Sequence, residues 1–198
     1  LILKSDNEAA IVALKAAIKV QNMQDIILEE SPVGDSKANG EVENAIRRVI
    51  GQFRAQKEAL GSRYGFRIDQ TSNIVPWLIS NAAATINRFQ MGSDGKTAHK
   101  RWKGREFTRP IAEIGECVQG LLLDSAGKNK HMPRWVEGVF LGVRDETGEV
   151  ILGTIEGVIK IRDFRHNADP AKKWNKELLN SFVGVPWQTQ PTTEDQIK

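Results

Sequence analysis

The sequence contains few of the residues from which disulfide-bonded, zinc-bound and membrane-spanning proteins are built. Its single cysteine, Cys117, cannot form a disulfide within the chain, and such usage fits a reducing compartment. The three histidines, His99, His131 and His166, are scattered and lack the spacing of zinc ligands. No run approaches the roughly 18 consecutive apolar residues that span a bilayer. We therefore expect an intracellular protein with no membrane insertion, in which Cys117 is a small core residue rather than a reactive thiol.

The chain also lacks an initiator methionine, a signal peptide and an internal repeat. Its first residues, Leu1 to Asp6, are typical of a short strand, because the apolar run is brief and no cleavage site follows it. We therefore expect the chain to be a fragment of a longer protein. Hydrophobic residues make up 40% and charged residues 27% of the 198 positions, which is ordinary for one globular domain with a smaller companion.

Basic side chains are concentrated in the middle third of the chain. Residues 41–110 contain 13 basic and 6 acidic side chains, a net charge of +7, whereas residues 1–40 and 111–198 each carry a net charge of −2. Such a positive region is typical of a protein that binds a polyanion. An ordinary solvated surface would give the same composition, so charge alone does not identify a nucleic acid as the partner.

The first forty residues alternate between strand and helix patterns. Leu1–Lys4 is apolar and predicts a strand, and Ile26–Leu28 is an apolar run short enough to be a buried strand. The segment 31–40 is rich in Pro, Gly, Ser, Asp and Asn, and it predicts a mobile loop. A strand, a helix and a second strand in this order indicate part of an α/β domain. The helix between the strands is predicted from apolar residues at helical spacing, namely Ile11, Leu14 and Ile18.

Two longer helices are predicted next, over about Glu41–Leu60 and Val75–Phe89. The second is apolar enough to pack against the α/β elements. The first carries an apolar stripe at helical spacing, which we expect to face a core. The residues of this stripe are Val42, Ile46, Val49, Ile50 and Phe53.

Beyond the basic and irregular stretch 92–110, the chain changes to a β pattern. Four or five short apolar runs, separated by Gly-containing or polar turns, predict a small barrel in which Trp135 and Phe140 are core residues. Residues from Pro186 onward are polar and predict disorder. The predicted organisation is a core over 1–90, a basic linker over 91–110, a barrel over 111–168, and a polar, partly disordered tail over 169–198.

Two carboxylates occupy positions at which chemistry is often found. Asp6 follows the first strand, where functional groups of an α/β sheet lie, and Glu43 falls in the first turn of the long helix, with 36 residues between the two. At about 100° per residue, Arg47 lies roughly 40° around the helix from Glu43, and Arg54 returns to within about 20°. Arg47 at i+4 could form a helix-stabilising ion pair, which the pattern alone favours. The alternative is a metal-binding carboxylate beside cations that hold DNA phosphates.

Both carboxylates lie in short motifs with a family resemblance. Ser5-Asp6-Asn7 after a strand resembles the second acidic motif of retroviral and retrotransposon integrases. Asn39-Gly40-Glu41-Val42-Glu43 resembles the third motif of the same family, in which a glycine precedes the catalytic glutamate by three positions. The family separates these two acids by a similar number of residues.

Later segments resemble copia-type retrotransposon integrases in particular. Val75–Trp77 and Asn87–Phe89 are similar to the helix that follows the core in these elements. Lys96-Thr97 with Trp102 and Gly104 resembles a signature of the family, except that Ala98-His99 replaces the usual Pro-Tyr.

The resemblance continues through the β part of the chain and covers Leu1 to about Trp187. Ile111–Cys117, Gly138–Gly142 and Arg162–Phe164 resemble segments of the barrel that closes the integrase. The fold that the resemblance implies is α/β: an incomplete RNase H-like core followed by a small all-β, SH3-like barrel.

The resemblance implies an enzyme that joins the 3′ ends of element DNA to target DNA by phosphodiester strand transfer. Three carboxylates would hold two Mg²⁺ or Mn²⁺ ions, and Asp6 and Glu43 would be two of these catalytic ligands. The third, an aspartate, would lie upstream of Leu1, so we expect the fragment alone to be inactive. The resemblance also implies homo-oligomers on paired DNA ends, acting in the nucleus.

Candidate DNA contacts fall into two groups. Asn39 would shape the approach of a DNA end, and the arginines Arg47, Arg48 and Arg54 would contact phosphates, with Arg48 the weakest because it lies about 140° from Glu43. The basic stretch is interleaved with Trp102 and Phe107, a mixture that suits backbone contacts. An interdomain linker with incidental DNA contact is favoured for this stretch. Its candidate residues are Lys96, Lys100, Arg101, Lys103 and Arg105.

Two other functions stay open. A decayed or domesticated element remnant would bind DNA without catalysis, and Glu41 with the Ala98-His99 replacement hints at such drift. Alternatively, the barrel would bind a protein partner, and its binding would then be insensitive to salt.

Overall fold

The computed structural model describes residues 2–5, 8–22, 25–30, 40–122 and 134–190. The chain divides into two compact units, Leu1–Arg48 and Val49–Lys198, each described by itself below. The predicted domain limits at residues 90, 110 and 168 stay predictions. Within the described ranges, no helix is both long enough and apolar enough to cross a membrane.

The first unit contains the predicted strand–helix–strand order. β1 (Ile2–Ser5) and β2 (Ile27–Glu30) pair in parallel, from Ile2 opposite Ile27 to Ser5 opposite Glu30. α1 (Ala9–Gln21) connects them, as a parallel pair requires. Buried Lys15 on α1 donates a hydrogen bond from Nζ to the Glu29 backbone oxygen at 2.9 Å. A lysine therefore fixes α1 to β2, while Leu14 of the predicted apolar stripe is exposed.

The long predicted helix is present as α2 (Gly40–Tyr64), and the unit boundary falls within it. The prediction of a continuous core stripe is wrong at Val42, Ile46 and Ile50, whose exposed fractions are 59%, 54% and 42%. Further along the helix, Leu60 is buried and Phe53 packs against the same core cluster. These three side chains belong to no hydrophobic cluster of the described residues, so the first part of the apolar stripe does not face a core.

The second unit contains α3 (Ile74–Phe89), as predicted, and a short α4 (Ala98–Lys103) in the stretch predicted to be irregular. Pro76 lies in the first turn of α3, where its missing N–H removes no helical hydrogen bond. Trp77 is buried and donates from Nε1 to the Gly184 backbone oxygen at 3.0 Å. α3 packs against the sheet through Ile74 and Leu78.

The predicted short strands are confirmed as one antiparallel sheet of five strands. Their order in the sheet is β6-β5-β4-β3-β7, so the last strand lies beside the first. The edge strands β6 and β7 do not pair with each other, so the sheet is not a closed barrel within the described residues. The strands are β3 (Cys117–Leu121), β4 (Trp135–Val143), β5 (Val150–Thr154), β6 (Gly157–Ile161) and β7 (Phe164–His166).

The sheet nevertheless curls strongly over its own inner face. β3 and β6 are separated by β4 and β5, which in a flat sheet would place them about 14 Å apart. A Cβ atom on Gly120 of β3 would instead lie 2.5 Å from Ile161 Cδ1 of β6. Gly120 is therefore required by the close approach of opposite strands. The inner cluster includes Val118, Phe140 and Ile161, which confirms Phe140 as a core residue.

The other face of the sheet is covered by α3 and by the C-terminal segment. That segment forms α5 (Pro170–Lys173) and α6 (Lys176–Ser181), and Leu179 and Phe182 are 2% and 1% exposed. The predicted polar tail therefore contributes to the core over this stretch, while residues 191–198 lie outside the described ranges. Cys117 is fully buried in the same cluster, as expected, and burial raises the pKa of its thiol.

Candidate functional site

Glu43 lies on the first turn of α2 with an exposed side chain. It forms no ion pair with any residue that the structure describes. Arg47, one turn later, donates from Nη1 to Asn44 Oδ1 at 3.2 Å instead. The helix-stabilising pair between Glu43 and Arg47 is therefore not formed, and the carboxylate is free to accept a cation or a hydrogen bond.

The other proposed metal ligand, Asp6, lies outside the described residues, as does Asn39. β1, which ends at Ser5, and α2, which begins at Gly40, are the nearest described elements to the two positions. Among the described residues no group of three or more His, Cys, Asp or Glu side chains could hold a metal ion.

The three candidate DNA-contacting arginines of α2, Arg47, Arg48 and Arg54, are all exposed. Arg47 and Arg48 belong to the first unit, and Arg54 to the second. Arg54 lines an open cavity of about 850 Å³ together with Lys57 and Arg67. These three cations form no ion pair in the part of the chain described here, so the cavity is electropositive.

Two of the basic side chains in the stretch 92–110, Arg101 and Lys100, form ion pairs with nearby carboxylates. Arg101 forms a two-pronged pair with Asp94, donating from Nε to Oδ2 at 3.0 Å and from Nη2 to Oδ1 at 2.5 Å. This arrangement holds the pKa of the Asp94 carboxyl well below its usual range. Lys100 Nζ lies 2.7 Å from Glu106 Oε1. The charges of Arg101 and Lys100 are therefore locally compensated.

The remaining basic residues of the stretch lack such partners. Lys96 and Arg105 are exposed and form no ion pair with a described residue. Lys103 Nζ lies 3.8 Å from the centre of the ring of Trp102, which is itself exposed. An exposed ring beside cations of this kind is able to stack on a base while the cations meet the backbone.

Local capping explains why this stretch forms α4. The Thr97 side chain accepts a hydrogen bond from the Lys100 backbone N–H at 3.0 Å, which caps the first turn. Gly104 ends the helix with φ of 72°, a left-handed conformation that favours glycine. The two caps set the ends of α4, so Lys100, Arg101 and Lys103 all lie on this short helix.

Neither the models of known protein families nor the curated proteins match this chain.

Sequence reasoning did not assign a role to Arg88, a buried guanidinium at the end of α3. It donates from Nη2 to the Val143 backbone oxygen at 2.5 Å and to Asp145 Oδ1 at 2.7 Å. Its Cζ atom also lies 4.5 Å from the centre of the Phe107 ring. Arginine near a helix C-terminus is ordinarily exposed, so the sequence carried no signal for this contact.

A second buried charge, Glu116, was also missed. Its Oε1 atom lies 2.5 Å from His166 Nδ1 and 3.5 Å from Lys173 Nζ. Glu116 precedes β3, whereas His166 ends β7 and Lys173 ends α5. The carboxylate therefore ties the C-terminal segment to the sheet, which is a structural role rather than a catalytic one.

Proposed function

We propose that this chain is part of a retrotransposon-type integrase, a polynucleotidyl transferase that joins DNA 3′ ends to target DNA. The observation that carries the proposal is Glu43, an exposed carboxylate without an ion-pair partner on the first turn of a helix that follows a parallel strand–helix–strand unit. This element order is the one that the resemblance implies for the second half of an RNase H-like core. The motif containing Asp6 directly follows β1.

Asp6 and Glu43 are the residues that would hold a divalent cation. Carboxylate oxygens are the ligands that Mg²⁺ and Mn²⁺ prefer, and a carboxylate that lacks a competing cation fits this use. Two bound ions would supply activation of the attacking oxygen and stabilisation of the leaving oxygen. The contribution of this chain is to supply two of the metal ligands, and Arg47 and Arg54 are proposed phosphate contacts of the first and of the second unit respectively.

The finer fold proposals have separate support. The curled antiparallel sheet, with Gly120 against Ile161, has the curvature that an SH3-like barrel needs. The parallel pair of β1 and β2 supports an RNase H-like core in the same manner. DNA as the partner, a homo-oligomeric assembly and action in the nucleus belong to the same proposal.

The test is a strand-transfer assay on the full product of the reading frame that contains this chain, with a labelled donor duplex, plasmid target and Mg²⁺ or Mn²⁺. We predict joined product from that protein and none from residues 1–198 alone. Asp6→Asn and Glu43→Gln should each reduce the rate at least about 100-fold, because each removes an anionic metal ligand.

Glu41→Gln is the matched control for Glu43→Gln. Glu41 is an exposed carboxylate on the same turn of α2, but it points about 160° away from Glu43. The control should keep near-normal activity. Equal activity of the Glu43→Gln and Glu41→Gln proteins would contradict the catalytic assignment.

A second candidate is a DNA-binding remnant that no longer catalyses strand transfer. Unpaired cations of the second unit, such as Lys96 and Arg105, favour it, because they support DNA binding without Glu43. Salt-sensitive DNA binding by the full product of the frame, with no metal-dependent joining, would favour this function over the first.

A further inference from the structure

A polar cavity of about 310 Å³ lies in the second unit, where the basic stretch meets the turn between β4 and β5. Its lining comes from two segments that are distant in sequence. One supplies Lys103, Arg105 and Arg109, and the other supplies Arg144 and Gly148. Because Arg109 and Arg144 belong to no motif, the cavity is a feature of the fold and not of the sequence pattern.

Each carboxylate in the lining already has a basic partner. Glu106 Oε1 lies 2.7 Å from Lys100 Nζ. Asp145 Oδ1 lies 2.7 Å from Arg88 Nη2, and Glu146 Oε2 lies 3.6 Å from Arg144 Nε. The acidic charge of the cavity is therefore compensated within the fold.

Three cations that line the cavity have no carboxylate partner among the described residues. Arg105, Arg109 and Lys103 form no ion pair with any described residue, and Lys103 Nζ lies 3.8 Å from the centre of the Trp102 ring. The cavity consequently has more positive charge than its own carboxylates neutralise. Such a surplus, in a recess with polar walls, is suited to an anionic ligand.

Gly148 leaves room for the side chain of Arg109, because it has no side chain of its own. A Cβ atom there would lie 2.9 Å from Arg109 Nε and 3.0 Å from its Nη2. Three guanidinium atoms, Nε, Nη2 and Cζ, would lie within 3.1 Å of that Cβ, so the guanidinium of Arg109 packs closely against Gly148. A planar guanidinium can donate two parallel hydrogen bonds to a phosphate group.

The walls of the cavity are braced by Arg88. This buried side chain binds Asp145 and the Val143 backbone oxygen of one wall, and it stacks on Phe107 of the other. One buried guanidinium therefore contacts both segments that line the cavity and fixes their backbones relative to each other. A recess whose backbone is already in place lowers the entropic cost of binding a ligand.

We propose that this cavity binds a phosphate group of a DNA backbone, with Arg105 and Arg109 as its principal donors. The proposal rests on the proposed function for the identity of the ligand. It goes beyond that function in assigning a site to Arg109 and to the β4–β5 turn. It also separates the basic stretch into cations that contact DNA and cations that hold the fold together.

The experiment measures the affinity of the 198-residue chain for a fluorescein-labelled DNA duplex by anisotropy, between 50 and 300 mM salt. Arg105→Gln and Arg109→Gln should each lower the affinity at 0.1 M salt roughly eightfold and reduce the slope of log affinity against log salt by about 0.9, as expected for one lost phosphate contact. Arg162→Gln is the matched control, since it removes an exposed arginine from the same unit outside the cavity. It should change both quantities much less.

Amide chemical shifts of the unmodified chain locate the contact independently of any variant. Shifts on adding the duplex should concentrate at residues 105–109 and 144–148. Binding with shifts elsewhere only, or equal losses in Arg109→Gln and Arg162→Gln, would overturn the cavity proposal and leave the proposed function standing.

Failure of the unmodified chain to bind DNA would overturn the DNA-phosphate proposal and would also count against the proposed function. The cavity is then tested with inorganic phosphate as the probe. Saturable shifts at the same residues would support an anion site for a free phosphate, whereas none would overturn the site as well.

Discussion

At the residue scale, Arg88 joins three separate parts of the second unit through one side chain. Its guanidinium contacts the turn after β4 and the ring of Phe107, and its backbone belongs to the last turn of α3. Buried charges of this kind are costly to leave unpaired, because neither partner regains the water it lost on folding. The pair with Asp145 therefore matters most when one partner is removed.

We predict that Arg88→Ala lowers the free energy of unfolding by about 3 kcal/mol or more, as is typical when one partner of a buried pair is lost. Urea unfolding followed by circular dichroism measures the effect. Arg162→Ala, which removes an exposed arginine of the same unit, should stay within about 0.5 kcal/mol of the original chain. An equally small loss for Arg88→Ala would show that the buried contacts do not stabilise the unit.

At the scale of the element, α2 changes character along its length. Its first part carries exposed apolar side chains at Val42 and Ile46, whereas its last part buries Leu60 against the core of the second unit. A single helix with one apolar stripe thus contains both a solvated and a packed stretch.

The contrast gives a prediction for two substitutions in the same helix. Leu60→Ala should lower the free energy of unfolding of the second unit by about 2–5 kcal/mol, because it leaves a cavity in a packed core. Ile46→Gln should change the free energy of unfolding of the first unit, to which Ile46 belongs, by no more than about 0.5 kcal/mol, because that side chain is exposed. Thermal or urea unfolding compares the two variants. A large loss of stability in Ile46→Gln would support the predicted continuous core stripe instead.

Elements with strong periodicity were predictable from the sequence, and elements held by polar contacts were not. The short strands follow from alternating apolar runs, and α3 follows from its apolar face. α6 is short and polar apart from Leu178 and Leu179, and its start is fixed by Asn175 Oδ1, which accepts from the Glu177 and Leu178 backbone N–H groups. Residues 169–190 were therefore assigned to a tail although they complete the core.

The candidate site was predictable to a smaller extent. Glu43 was identified from its motif and its place in the first turn of a long helix, and the structure confirms that placement. The free and the compensated cations of the basic stretch could not be told apart, since Lys100 and Arg105 differ only in whether an acid lies nearby. Such pairing depends on tertiary contacts that no local pattern encodes.

At the scale of the whole molecule, the two proposals concern different units. Asp6 and Glu43 belong to the first unit, whereas the cavity with Arg105 and Arg109 belongs to the second. The metal site and the DNA site are therefore testable one at a time. The metal site is the claim on which the enzymatic function depends.

The most direct test of that claim is paramagnetic broadening of amide signals by Mn²⁺ in the 198-residue chain. Mn²⁺ is a hard cation that binds carboxylate oxygens, so we predict selective broadening around Asp6 and around Glu43 together. Glu43→Gln should abolish the broadening at both places, and Glu41→Gln should leave it unchanged. Broadening at only one of the two carboxylates, or the same loss in both variants, would contradict a shared metal site.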